Sequence, residues 1–179
     1  GELVEFNSQM VSSALKKWGA KVKITEIIPD QKHLIEEAFT AAVKESKMVI
    51  VLSGSSAGRG DYTIDILKNK GKVLFHGVNI MPGKPLIAAE VEGKPVFGLP
   101  GYPLSAWLDN QLFIRELIYQ LQGDRAPAFN QIEAELKRKV PSDIGLEEFL
   151  RVNLITDAEN QYTAVPLKRG SSAMESIVK

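Results

Sequence analysis

Met48-Val-Ile-Val-Leu-Ser-Gly-Ser-Ser-Ala-Gly-Arg-Gly-Asp-Tyr-Thr-Ile-Asp-Ile-Leu-Lys-Asn-Lys-Gly71 is the stretch on which the fold turns. Met48 to Leu52 is an unbroken apolar run rich in β-branched residues, the pattern of a strand buried on both faces of a parallel sheet. From Ser53 to Gly60 come three glycines and three serines, with Arg59 the one large side chain. A backbone so free of bulk can approach a ligand closely and aim several N–H groups at one point. Beyond it Ile64 and Leu67 stand three apart, Asp61 occupies an N-cap position and Gly71 a C-terminal stop, so the order is strand, glycine-rich loop, helix. A helix start aimed at free amides favours an anion, usually a phosphate. A plain tight turn capped by Asp61 accounts for the same residues equally well, because the P-loop and dinucleotide spacings are both absent.

A second unit of the same kind lies downstream. Lys94 to Phe97 reads as a strand running into Gly98-Leu99-Pro100-Gly101-Tyr102-Pro103, and a helix follows from Leu104 to about Leu121 with Leu108, Leu112, Ile114, Leu117, Ile118 and Leu121 on its apolar side. Ser105 is a further donor near that helix start. Two such units in one parallel sheet put both loops beyond the carboxyl ends of their strands, where open α/β folds bind ligands. Between the units, Met81-Pro82-Gly83-Lys84-Pro85 is stiffened by two prolines and presents Lys84 on a constrained turn, either as a solvated charge or as an anion clamp. Leu86 to Val91 and Lys94 to Phe97 flank Glu92-Gly93 as a hairpin.

Upstream, Asn7 and Ser8 are cap residues for an amphipathic helix carrying Met10, Val11, Ala14, Leu15 and Trp18, which stops at Gly19. Val22 to Ile28 is expected as a strand closed by Pro29 and Asp30, and Asp30 opens the next helix, where capping is its simplest role. Gly123 to Ala128 reads as a linker, after which the apolar period changes to two: Ile132, Ala134 and Leu136, then Arg151 to Ile155, then Tyr162 to Pro166 beyond an Asp157-Ala158-Glu159-Asn160 turn. The expected organisation is an α/β domain over 1–123, a linker over 124–129 and an incomplete antiparallel β domain over 130–179. Both chain ends read as cut from something longer.

Composition narrows the chemistry. Lys plus Arg equals Asp plus Glu at 22 each, so no charge excess draws the chain to nucleic acid or to an anionic membrane surface. The absence of cysteine removes disulfides, thiolate zinc sites and cysteine nucleophiles, and two histidines, His33 and His76, are too few for a histidine-rich metal site. Any metal is expected to be a hard ion held by carboxylate and phosphate oxygens, most simply Mg2+. No apolar run approaches membrane-spanning length and Gly1 to Asn7 has no signal-peptide character, so a cytoplasmic protein is expected.

Several motifs in fixed order then carry a resemblance. Glu5-Phe6-Asn7-Ser8, Ile27-Ile28-Pro29-Asp30, Ser53-Gly54-Ser55-Ser56-Ala57-Gly58-Arg59-Gly60-Asp61-Tyr62-Thr63, Phe75-His76-Gly77-Val78 with Pro82-Gly83-Lys84-Pro85, and Gly98-Leu99-Pro100-Gly101-Tyr102-Pro103-Leu104-Ser105-Ala106 together resemble the molybdopterin molybdotransferase family of molybdenum cofactor assembly, which includes the E domain of gephyrin. The resemblance implies a three-layer α/β/α molybdopterin-binding domain with a mostly parallel sheet, followed by the start of a C-terminal β-barrel. It implies an enzyme that takes adenylylated molybdopterin and molybdate, releases AMP and leaves molybdenum on the dithiolene, with a divalent cation and usually as a homodimer. Carried over residue by residue, Asp30 and Asp61 are the acidic pair of the metal and reaction centre, and Lys84 is an anion-binding cation. Ser53, Gly54, Ser55, Ser56, Gly58, Arg59, Thr63, Pro82, Gly83, Pro100, Gly101, Tyr102, Pro103 and Ser105 line the pterin phosphate, and Ser171 belongs to a barrel loop facing the site. The chain departs from the family's pattern at Met81, where a lysine or arginine is common, at Tyr102 in place of asparagine, and at Ser55 and Ser56 in place of a double glycine. Two other readings share much of this: a molybdopterin adenylyltransferase, which the β segment after Pro127 and the Pro-Gly-Lys-Pro turn argue against, and an inactive pterin-binding or scaffold module.

Overall fold

The computed structural model of the chain describes residues 5–52 and 62–167; the glycine-rich loop over 53–61 and Ser171 lie outside the described residues. Helix α1 spans Asn7–Lys17, α2 Lys32–Glu45, and strand β1 Val49–Leu52. Helix α3 follows over Tyr62–Lys70, then β2 over Lys72–His76, a two-residue β3 at Ile80–Met81, β4 over Ile87–Val91 and β5 over Lys94–Leu99. The second long helix is α4, Pro103–Asp109, continued through a π turn at Asn110–Ile114 into α5, Arg115–Leu121.

Strands β1, β5, β4 and β2 form one sheet in that order. β1 and β5 are parallel, while β4 runs antiparallel to both β5 and β2, so the sheet is mixed and its parallel part is the β1–β5 pair. Alternation along the strands sends side chains to two cores. On one face Ala88, Phe97 and Leu99 meet Val11, Leu15 and Trp18 of α1 and Ala106, Ile114 and Ile118 of the α4–α5 helix. On the other, Ile87, Ala89, Val91 and Val96 meet Phe39 and Val43 of α2 and Ile66 and Leu67 of α3. Helices on both faces of a sheet make the three layers expected. The hairpin turn is the expected Glu92-Gly93, both residues with positive φ (52° and 72°), a geometry that matches the twist of the two strands.

Three local expectations are corrected. Val22 to Ile28 is irregular rather than a strand, and Ile24 and Ile27 are exposed, because among the described residues no neighbour offers it a ladder. Asp30 is not the cap of α2; Gln31 holds that position, without a side-chain cap bond. Phe6, not Asn7, is the N-cap residue of α1, where Glu5 reaches over instead: its carboxylate accepts from the Ser8 amide at 2.9 Å and from the Ser8 hydroxyl at 2.6 Å.

Residues 124–134 are irregular, and Arg115 of α5 holds them by donating to the Pro127 carbonyl and stacking 4.4 Å from the Phe129 ring. After them come β6 (Glu135–Leu136), β7 (Glu147–Glu148), β8 (Val152–Thr156) and β9 (Tyr162–Pro166). β9 pairs antiparallel with β8 and parallel with β6, and no closed barrel forms among the described residues. The turn between β8 and β9 is built by Asp157, whose side chain accepts from the amides of Glu159 and Gln161 at 2.9 and 2.8 Å. β7 leaves this group and pairs with β3, so the C-terminal strands are tied by main-chain bonds to the segment that carries Lys84.

Candidate functional site

Strand register decides which loops can meet. Leu52, the last residue of β1, lies opposite Leu99, the last of β5, so two parallel strands end level and release their loops side by side. β4 starts at Ile87 opposite Gly98, and β2 ends at His76 opposite Ile87. The connection over 77–86 therefore leaves and re-enters the sheet on that same edge. One rim thus gathers the root of the 53–61 loop, the Pro100-Gly101-Tyr102 turn and the Pro82-Gly83-Lys84-Pro85 turn, in the position where open α/β sheets take ligands.

The second turn is short and held. Pro103 begins α4, where its missing N–H costs nothing, and Tyr102 is the N-cap residue in extended conformation. Gly101 and Tyr102 are exposed at the rim while Pro100 and Ser105 are buried beneath it. Asn7 of α1 donates its side-chain N–H to the Gly101 carbonyl at 2.8 Å, which brings the first helix to the same rim. Thr63 is buried in the first turn of α3, at the far root of the glycine-rich loop.

The Lys84 turn is closed on itself by backbone. The Gly77 amide donates to the Leu86 carbonyl at 2.8 Å, Val78 to Lys84 at 2.9 Å and Leu86 to Gly83 at 3.2 Å. Met81–Pro82 is a cis peptide, and Gly83 has φ +115°, which only glycine adopts without strain. From the other side β7 clamps it: Glu147 donates to the Asn79 carbonyl and Phe149 to the Met81 carbonyl, each at 2.8 Å. Lys84 itself is exposed. A cation on a braced turn beside two loop mouths can hold an anion without first ordering a flexible chain.

The carried-over residues thus divide. Lys84, Pro82, Gly83, Pro100, Gly101, Tyr102, Pro103, Ser105 and Thr63 belong to the three rim segments or their roots. Asp30 is exposed one residue ahead of the α2 cap, and among the described residues no hydrogen bond or ion pair joins it to the rim. Ser53, Gly54, Ser55, Ser56, Gly58, Arg59, Asp61 and Ser171 lie outside the described residues. The described residues contain no group of three histidine, aspartate or glutamate side chains able to hold a metal. No helix among them is long and apolar enough to cross a membrane.

One site-adjacent residue escapes a reading of the sequence. Asp109, at the end of α4, has 0% exposure, and burial pushes its carboxyl up to about 8. The signal was an ionisable residue among Leu108 and Leu112 on the packed side of a helix, where aspartate is seldom found.

With this geometry in hand, comparison with known proteins is direct. Residues 1–120 match the family described as probable molybdopterin binding domain, and residues 133–179 match the MoeA C-terminal region (domain IV). A putative molybdopterin biosynthesis protein of Methanocaldococcus jannaschii is 31% identical over all of this chain, which spans 42% of that relative. A molybdopterin molybdenumtransferase of Haemophilus influenzae is 34% identical over 70% of the chain, which spans 31% of it. Among solved structures, a molybdopterin biosynthesis MoeA protein from Pyrococcus horikosii superposes with a TM-score of 0.78 at 30% identity, covering 99% of this chain and 42% of its own. The chain therefore spans less than half the length of each of these relatives. On these matches the chain belongs to the molybdopterin-binding domain family of molybdenum cofactor biosynthesis, followed by a MoeA C-terminal region.

Proposed function

We propose that the rim binds adenylylated molybdopterin and that the protein of which this chain is part inserts molybdenum from molybdate with release of AMP. The observation that carries this reading is the register: β1 and β5 end level, and the Lys84 turn returns to the same edge. Cleaving a phosphoanhydride beside molybdate concentrates negative charge, and the chemistry calls for fixed donors and cations where that charge develops. Lys84 supplies a positive charge, and the turn at Gly101 and Tyr102, exposed at the rim, leads into the start of α4 beside it. No protein nucleophile is needed, because molybdate oxygen and water supply the reacting groups.

Asp30 and Asp61 are the carboxylates proposed for Mg2+. An ion of this kind is commonly held by one or two carboxylates with substrate phosphates completing the shell, so a cage of protein side chains is not required. A homodimer in the cytoplasm belongs to the same reading, by likeness to the family.

The test is AMP release from adenylylated molybdopterin with molybdate and Mg2+, using the full-length protein. Lys84→Ala is expected to raise the KM at least tenfold, and Asp61→Asn to lower kcat by about a hundredfold, as loss of a charge-stabilising group does. Turnover unaffected by both changes would refute the assignment. A protein that binds pterin but releases no AMP would be the inactive scaffold instead.

A further inference from the structure

Asp109 closes α4 and Asn110 opens the π turn, and both side chains are buried, at 0% and 1% exposure. Neither carboxyl oxygen of Asp109 nor Oδ1 of Asn110 has a hydrogen-bond partner among the described residues. Buried oxygens are nearly always partnered, and π turns recur at functional positions, so two independent irregularities coincide here. What lies over the carboxyl is the Lys84 turn. A Cβ added at Gly83 would stand 2.2 Å from Asp109 Oδ1 and 2.9 Å from Ile80 Cδ1, so the glycine backbone rests directly on the acid.

Among the described residues, charges on the surrounding elements do not offset the burial. Lys84 on the turn is exposed, as are Lys16 and Lys17 at the end of α1, which packs on α4. Arg115, six residues on, is turned to Pro127 and Phe129, and Glu147 and Glu148 belong to β7 beside Met81. Desolvation is the cause that raises the Asp109 carboxyl, and at about 8 it keeps its proton at neutral pH.

We propose that Asp109 is a positioning residue for the anion-binding turn: its neutral carboxyl is the floor on which Gly83 rests, and ionisation lifts the turn and carries Lys84 away from the rim. The proposal rests on the reading of Lys84 as an anion clamp. The physical reason is that a carboxylate stripped of water and partners must regain one or the other. The helix beneath is fixed by the core through Ala106 and Ile114, whereas the turn above is held by a few backbone bonds, so the turn yields and admits water. The proton is lost to solvent and no other group changes state.

The experiment uses full-length protein between pH 6.5 and 9.5, following hydrogen-exchange protection of the Val78 and Leu86 amides, which donate to the Lys84 and Gly83 carbonyls. AMP affinity is measured in parallel as the probe of the rim. In the native protein protection is expected to fall by up to about tenfold per pH unit as pH rises to 8 and to level off above it, with AMP binding weakening alongside. Asp109→Asn, neutral throughout, is expected to keep both level, while Lys84→Ala weakens AMP binding at every pH and leaves the amide profile native. A native profile independent of pH, which needs no variant to observe, overturns the proposal, as does the native fall persisting in Asp109→Asn. If the amides follow Asp109 but Lys84→Ala leaves AMP affinity unchanged, the clamp reading fails and the positioning of the turn stands.

Discussion

Asp109 makes a stability prediction of its own, separate from its effect on the turn. In the unfolded chain its carboxyl titrates near the ordinary 3.8, while burial holds the folded value up to about 8. Between these values the folded state keeps a proton that the unfolded chain has lost, so stability is greatest below the lower value, falls as pH rises through the window, and is flat above it. The expected slope is at most about 1.4 kcal/mol per pH unit for this one group. Urea midpoints from pH 5 to 9 should show a shallower slope in Asp109→Asn than in the native protein; equal slopes would mean that the acid is solvated after all. Single residues were unevenly legible. Lys84 and Gly83 stood out because two prolines bracket them, a local signal. Asp109 did not, since its burial is made by a turn about 25 residues away in sequence, and a helical stripe records apolar positions rather than the acid among them.

Among the elements, those with an internal period were readable and those that depend on a distant partner were not. The stripe of α1 and the run at Met48 to Leu52 give core residues Val11, Leu15 and Val49 as expected. Val22 to Ile28 has the alternation of a strand, yet alternation supplies only faces and cannot supply a neighbour to bond to. The two-residue strands β3 and β7 have no pattern at all, because they exist only through long-range pairing. So too the π turn: nothing in Asn110-Gln-Leu-Phe-Ile114 departs from an ordinary helical sequence. The β4–β5 hairpin offers an element-level test. Glu92 sits at φ 52°, where a long side chain is strained and asparagine is tolerated. Glu92→Asn is expected to raise stability by up to about 1 kcal/mol in chemical denaturation without changing AMP affinity. A loss of stability would show that Glu92 has a role in the turn beyond its backbone.

At the level of the molecule, the strand ends turn sequence motifs scattered over about fifty residues into one edge, from Leu52 to the Pro100–Tyr102 turn. That convergence was legible only as an expectation, because loop order along the chain does not give the register that levels Leu52 with Leu99. The C-terminal strands add a connection that the sequence could not show: β7 pairs with β3 next to Pro82, so the second unit braces the turn that bears Lys84. The most direct test of the rim as a phosphate site is a crystal structure of the full-length protein with AMP and molybdate. The phosphate should lie between Lys84 and the turn at Gly101, within hydrogen-bond reach of both and beside the start of α4. AMP bound on another face, with Lys84 and Gly101 facing only solvent, would contradict the account.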